Sequence, residues 1–394
     1  MRIKTNCIEA IKFTLIAALA TLHSAPSLAD QDIIEHSISA SAAPNVFARL
    51  SIDPAAITVS GLSSGGFFAH QFHIAYSHRL SGAAIVAGGP FGCVDIIPNP
   101  FMPWTQLGSL AAAVVACTHT AGDRFWGLRP NPPQASHVAD LVAEVFLAGQ
   151  IDDPDHLKND RVWLFHGSMD GVVSPRIGSV LAELYQGFIL GHDALAIMSE
   201  DPDQPANHGM PIARSEFDSG LPAPECDVYS APYIINCGFD ATKLFLAHLY
   251  QEKFADTYAD PYDMGSLLPF DQSPFFENGA EASLADTGYV YLPHDCLSND
   301  CRLHVAFHGC QQSVQPVNGI ATRDEFLHEA GYTQWAGGNR IVVFFPQVMA
   351  TPSNPRGCWD FWGFTGPQWR TRDGLQMQAV AAMIDAIVGD DRNQ

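Results

Sequence analysis

The sequence predicts an α/β fold: a mostly parallel sheet with helices on both faces. Three observations predict it. Short apolar runs bounded by Gly, Pro and Asp alternate with stretches of helical period, the pattern of strands joined by crossover helices. Ile57-Thr58-Val59-Ser60 alternates like a strand, runs into Gly61-Leu62-Ser63-Ser64-Gly65, and is followed by a helix from Gly65 to Tyr76. Far along the chain, an extended run carrying Leu303, Val305 and Phe307 ends in His308-Gly309-Cys310.

The strand–turn–helix around Ser63 is the context that exposes a serine hydroxyl at the top of an α/β-hydrolase sheet. The run ending in His308-Gly309 reads as the loop that donates an oxyanion-hole amide. In ordinary α/β-hydrolases that loop precedes the nucleophile; here it follows. The order predicts a circularly permuted α/β-hydrolase acting as a serine esterase.

The remaining elements follow in chain order. Residues 1–29 read as a signal peptide: Arg2 and Lys4 form a basic start, Phe13 to Leu22 a short apolar core, and Ser27-Leu28-Ala29 a cleavage site before Asp30. The apolar run is too short to span a membrane. Ala83 to Val86 is a strand leading into Gly88-Gly89-Pro90, and Arg161 to Phe165 another, ending in His166-Gly167. Ile177 to Leu190 is helical in period. The stretch from Pro202 to about Gly288, rich in Pro, Asp and Gly around one helix (Ala241 to Glu252), reads as an insertion or lid near 202–288 rather than sheet. Strands at Tyr289–Leu292, Arg302–Phe307 and Ile341–Phe345 precede a last helix, Leu375 to Ile387. With no internal repeat and no Ser/Thr/Pro-rich linker, residues 30–394 are expected to form one catalytic domain.

The formal net charge is −22, and losing Arg2, Lys4 and Lys12 with Glu9 takes it to −24. So acidic a chain is a poor partner for nucleic acid or an anionic membrane. Nine cysteines become eight without Cys7, an even set that reads as four disulfides in an exported chain. Eight cysteines allow about 105 pairings; the expected one joins neighbours, Cys93–Cys117, Cys226–Cys237, Cys296–Cys301 and Cys310–Cys358. No C-x-x-C pair or histidine spacing supports a zinc site, and neither metal nor cofactor is expected.

A lone G-x-S-x-G is a weak signal, but the preceding strand, the small residues Gly65 and Gly66 and the signal peptide make Ser63 the nucleophile candidate. The bland alternative is a tight glycine turn capping a helix. A serine needs a base held by an acid. Asp170 sits just past the strand Val162–Phe165, whereas Asp152, Asp153, Asp155 and Asp160 precede it, at the wrong end of the sheet. His208, in a Pro/Gly loop, completes the order Ser63, Asp170, His208; His294, His304 and His308 are later rivals, the last two tied to the oxyanion strand. The backbone amides of Ser64 and Cys310 are the candidate oxyanion donors.

Taken together, Gly61-Leu62-Ser63-Ser64-Gly65-Gly66, Ala87-Gly88-Gly89-Pro90, Phe307-His308-Gly309-Cys310-Gln311-Gln312 and Gly357-Cys358-Trp359-Asp360 resemble secreted single-domain poly(3-hydroxybutyrate) depolymerases, which are circularly permuted α/β-hydrolases. The resemblance covers most of the chain after residue 29. It implies the triad Ser63–Asp170–His208, the Ser64 and Cys310 amides as oxyanion hole, a polyester or oligoester substrate, export to the periplasm or beyond, and Trp359 lining the crevice that holds the ester chain. Trp359, Phe361, Trp362 and Phe364, and Phe270 to Phe276, form aromatic patches suited to an open apolar crevice, with core packing as the alternative. Feruloyl and acetylxylan esterases share the His-Gly-Cys and Gly-Cys-Trp motifs, usually in unpermuted order, and a binding protein lacking catalysis is the remaining alternative.

Overall fold

The computed structural model describes residues 50–96, 113, 117–118, 132–254, 260–315 and 324–389. The expected signal segment 1–29 lies outside them. The elbow strand β1 (Ile52–Leu62) stands in the middle of an eight-stranded sheet. On one side it pairs in parallel with β2 (Gly82–Val86), then β3 (Arg161–Phe165) and β4 (Leu195–Met198). On the other it pairs in parallel with β9 (Cys301–Phe307), then β10 (Ile341–Phe345). Two antiparallel strands, β8 (Thr287–Pro293) and β7 (Gly265–Asp271), close that edge. The sheet is therefore mostly parallel, and the strand carrying the oxyanion loop lies directly beside the nucleophile strand although it comes late in the chain.

Helices cover both faces, which is why the central strands are near-continuous apolar runs. On one face, α1 (Ser64–Ala75), α2 (Ala135–Leu147), α3 (Pro175–Phe188) and α5 (Leu375–Val388) bury Phe68, Phe72, Val142, Leu181, Leu184 and Ile384 against Val59, Val305 and Phe344. On the other, α4 (Ala241–Tyr250) brings Phe245 and Leu246 onto Ala84, Trp163 and Ala306. The whole of α1 is buried, so its polar residues find partners inside. His70 and His73 both meet the Tyr185 hydroxyl at 2.9 Å, and His73 Nε2 meets Asp160 at 3.0 Å. Asp160, set at the far end of β3 by the sequence, is thus used structurally. His304 is likewise internal, held between Thr58 and Ser60 at 2.8 and 2.7 Å.

One expectation needs correction. The segment 202–288 is not sheet-free. Its strands β5 (Met210–Ile212) and β6 (Ile234–Asn236) pair in parallel as a separate two-stranded sheet, and β7 is the edge of the main sheet. Pro269 masks β7 in the sequence, yet proline is tolerated on an edge strand, where one side needs no ladder bonds. All four disulfides join the neighbours expected from the sequence: Cys93–Cys117, Cys226–Cys237, Cys296–Cys301 and Cys310–Cys358. No helix among the described residues is long and apolar enough to cross a membrane.

Candidate active site

Because β1, β2, β3 and β9 run parallel, the loops that leave them emerge at one edge, the end where parallel sheets place their sites. Ser63 leaves β1 in a left-handed turn with φ 57° and ψ −122°. Its N–H donates to Val86 O at 3.0 Å, and its carbonyl accepts from Phe67 N at 2.9 Å, starting α1. The turn exists only because its neighbours lack side chains. A Cβ on Gly61 would stand 2.1 Å from Gly65 O, and one on Gly65 2.2 Å from Phe307 O. Strain concentrated at one partly exposed serine, with glycines cleared around it, is the geometry of a nucleophile elbow.

Asp170 follows β3 and is buried. Its Oδ1 accepts from the amides of Val172 and Val173, both at 2.8 Å. Its Oδ2 accepts from His208 Nδ1 at 2.7 Å. Burial alone would raise the Asp170 carboxyl, but the charges and hydrogen bonds of His208 and His166 outweigh it and hold the group well below the usual carboxylate range. With Nδ1 donating to Asp170, the neutral His208 ring keeps Nε2 bare as a proton acceptor.

The candidate oxyanion amides come from two elements. Ser64 opens α1, where helix amides have no intrahelical partner. Cys310 follows β9, and its sulfur is tied to Cys358. Gly309 packs against the elbow: a Cβ there would be 3.4 Å from Ser63 Cβ and 3.3 Å from Leu62 O. The structure therefore brings Asp170 onto His208, and the loop bearing Cys310 onto the Ser63 turn.

Comparison with known proteins bears on this arrangement. No protein-family model matches the chain. A poly(3-hydroxybutyrate) depolymerase of Delftia acidovorans is 33% identical over 342 residues, 86% of this chain. The chain spans 60% of that relative's length. A polyhydroxybutyrate depolymerase of Talaromyces funiculosus is 28% identical over 365 residues, 89% of this chain and 94% of its own. The crystal structure of a PHB depolymerase from Penicillium funiculosum superposes with a TM-score of 0.69 at 26% identity, covering 86% of this chain and 97% of its own. A PHB depolymerase with a serine-to-alanine substitution, complexed with an R3HB trimer, gives the same TM-score of 0.69 at 27% identity. The chain is thus similar to poly(3-hydroxybutyrate) depolymerases over most of its length and in its fold.

The placement of Trp359 is a correction. It is fully buried, packed between Phe68 and Phe307 with ring centroids 4.6 and 5.0 Å away. A ring with no exposed surface lines no crevice; its backbone amide, 3.4 Å from Ser64 Oγ, is what reaches the elbow. The other aromatics are mostly core as well: Trp362, Phe364 and Phe270 are buried, and Phe361 stacks on Phe67 at 4.4 Å.

Two contributors had escaped the sequence reading. His166 places Nε2 3.4 Å from Asp170 Oδ2 and 2.8 Å from Val173 O, so a second imidazole attends the acid. Its signal was its position, four residues before Asp170 in the same strand-exit loop. Tyr229 sets its ring 6.2 Å from His208 and stacks at 5.2 Å on Tyr233, whose hydroxyl donates to Gln311 Oε1 at 2.7 Å. Nothing local in the sequence marks that contact, since Tyr229 lies inside the loop closed by Cys226–Cys237.

Proposed function

We propose that the chain is an exported serine esterase that hydrolyses poly(3-hydroxybutyrate) or its oligomers through an acyl-enzyme. The observation that carries this reading is the buried Asp170–His208 hydrogen bond at the edge where Ser63 turns out of β1. In this reading Ser63 Oγ attacks the ester carbonyl while His208 Nε2 takes its proton. Asp170 keeps the imidazole in the tautomer that can do so and stabilises the imidazolium that forms. The Ser64 and Cys310 amides receive the charge developing on the carbonyl oxygen. His208 then protonates the departing hydroxyacyl alcohol and activates the water that releases the acyl group. None of these steps calls on a metal or cofactor.

The polyester assignment is supported by the named activities of the Delftia and Talaromyces relatives and by the trimer bound in the solved neighbour. Export is supported by four disulfides. The test is release of soluble 3-hydroxybutyrate from amorphous polymer by purified protein and by Ser63→Ala, with p-nitrophenyl butyrate and a feruloyl ester alongside. Release by wild type and none by the variant is the expected result. Activity confined to the small or feruloyl esters would sink the polyester assignment, and a folded protein that cleaves nothing would sink the esterase.

A further inference from the structure

The amide of Cys310 points wherever the Gly309–Cys310 peptide plane points, and that plane is held from several directions. The peptide is trans, so the Gly309 carbonyl and the Cys310 N–H face opposite ways. The carbonyl is pinned on its side. His308 Nδ1 donates to Gly309 O at 2.7 Å, and the Gln312 amide donates to the same oxygen at 3.3 Å. The Cys310 N–H, facing away, donates to no backbone acceptor among the described residues.

His308 is completely buried. Burial drives its pKa down to about 4, and Val348 N–H donates to its Nε2 at 3.4 Å. The ring is therefore neutral with its proton on Nδ1, the state that binds a carbonyl. Gln312 grips the preceding His308–Gly309 peptide. Its Oε1 accepts the Gly309 N–H at 2.7 Å, while its Nε2 donates to Pro232 O at 2.8 Å. Between them Gln311 adopts φ 66°, the left-handed third position of a type II turn that glycine normally fills. Its amide donates to Arg356 O at 2.8 Å and its side chain accepts from Tyr233.

We propose that His308 and Gln312 are positioning residues that fix the Gly309–Cys310 peptide plane and so aim the Cys310 amide at the oxyanion. The proposal rests on the serine-esterase reading above. A half-turn of this one plane would point the amide away from the oxyanion without moving the sheet, so the loss expected from freeing it is local and kinetic.

The test uses the full chain, p-nitrophenyl butyrate, and butylboronic acid as a probe whose tetrahedral serine adduct fills the oxyanion hole. Active-site titration counts reactive Ser63, so that misfolded protein does not enter the rate. His308→Leu and Gln312→Leu should each lower kcat per titrated site by about tenfold to a hundredfold, with boronate affinity falling in parallel. KM should stay within about twofold. His308→Asn, whose amide can donate to the Gly309 carbonyl, should recover most of the loss. If both leucine variants keep wild-type kcat per titrated site and boronate affinity, losing only titratable protein, the residues are structural and the proposal falls. If one leucine variant does not fold, the other decides. Wild type that neither cleaves the ester nor binds the boronate fails before any variant is made, and overturns the esterase reading itself.

Discussion

Replacing Asp170 by Asn is the sharpest probe of the proposed acid–base pair. The carboxylate accepts three hydrogen bonds, Oδ1 from the amides of Val172 and Val173 and Oδ2 from His208 at 2.7 Å, with His166 Nε2 a further 3.4 Å from Oδ2. An Asn carboxamide can keep only one oxygen as acceptor. If that oxygen stays on the two amides, Nδ2–H faces His208 Nδ1 and forces the ring to carry its proton on Nε2, where it cannot take one from Ser63. The backbone contacts survive, so the fold should stay close to wild type while the reactive tautomer is lost. In a Ser–His–Asp triad that tautomer error costs about 10⁴ in kcat, or roughly 5 kcal/mol of barrier at about 1.4 kcal/mol per decade. The assay is kcat on p-nitrophenyl butyrate normalised by active-site titration, with near-ultraviolet circular dichroism to check packing. Retention of more than about a tenth of wild-type kcat would refute the roles given to Asp170 and His208.

Three further predictions follow from neighbouring geometry. Because the folded Asp170 carboxyl is held below its ordinary range by His208 and His166, the unfolded chain binds that proton more readily. Its stabilisation is complete above the ordinary Asp pKa of about 4 and drains away as pH falls below it; urea midpoints between pH 7 and 3 should fall less steeply in Asp170→Asn, and identical slopes would contradict this. Gly178→Ala would ordinarily strengthen α3 by about 1 kcal/mol, but its Cβ would lie 2.5 Å from His166 Nδ1; the variant should show no gain in urea and a several-fold loss of kcat, and a more stable, fully active protein would sink the account of His166. Tyr185→Phe removes the hydroxyl shared by His70 and His73, stranding two buried ring nitrogens at about 2–4 kcal/mol in total; a loss under about 1 kcal/mol in urea unfolding would show that these nitrogens find other partners.

The parts of the molecule legible in the sequence are those where local pattern and chemistry coincide. Arg161–Phe165 is apolar, short and flanked by turns, and it is a strand over those same residues. Gly61 and Gly65 signal the elbow because no other residue fits beneath the Gly65 and Phe307 carbonyls. Asp170 and His208 follow from order and from which end of a strand each one leaves. What stayed hidden depends on contacts across the chain. The strand β7 carries Pro269 and draws its order from β8 alone. Trp359 is a large aromatic beside a motif cysteine, and nothing in its neighbours tells whether its ring faces solvent or Phe68. The service of His166 to Asp170, and of His308 to the Gly309 carbonyl, depends on ring orientation set by α3 and by Val348. One-dimensional spacing does not encode that.

The position of β1 also shapes how this chain must reach its native state. Its ladder partner β2 follows at once, but its other partner, β9, arrives only after most of the protein has been made: Thr58 and His304, bonded across those two strands, are 246 residues apart. Until β9 docks, β1 carries a row of unpaired amides and carbonyls along one side, the kind of edge that recruits foreign strands. Closing so long a loop also delays the step on which the rest of the sheet depends. The permuted order thus moves the molecule's centre to its start and leaves the decisive pairing to its end. It predicts slow, late-committing refolding, and aggregation in proportion to how long the first half waits for the second.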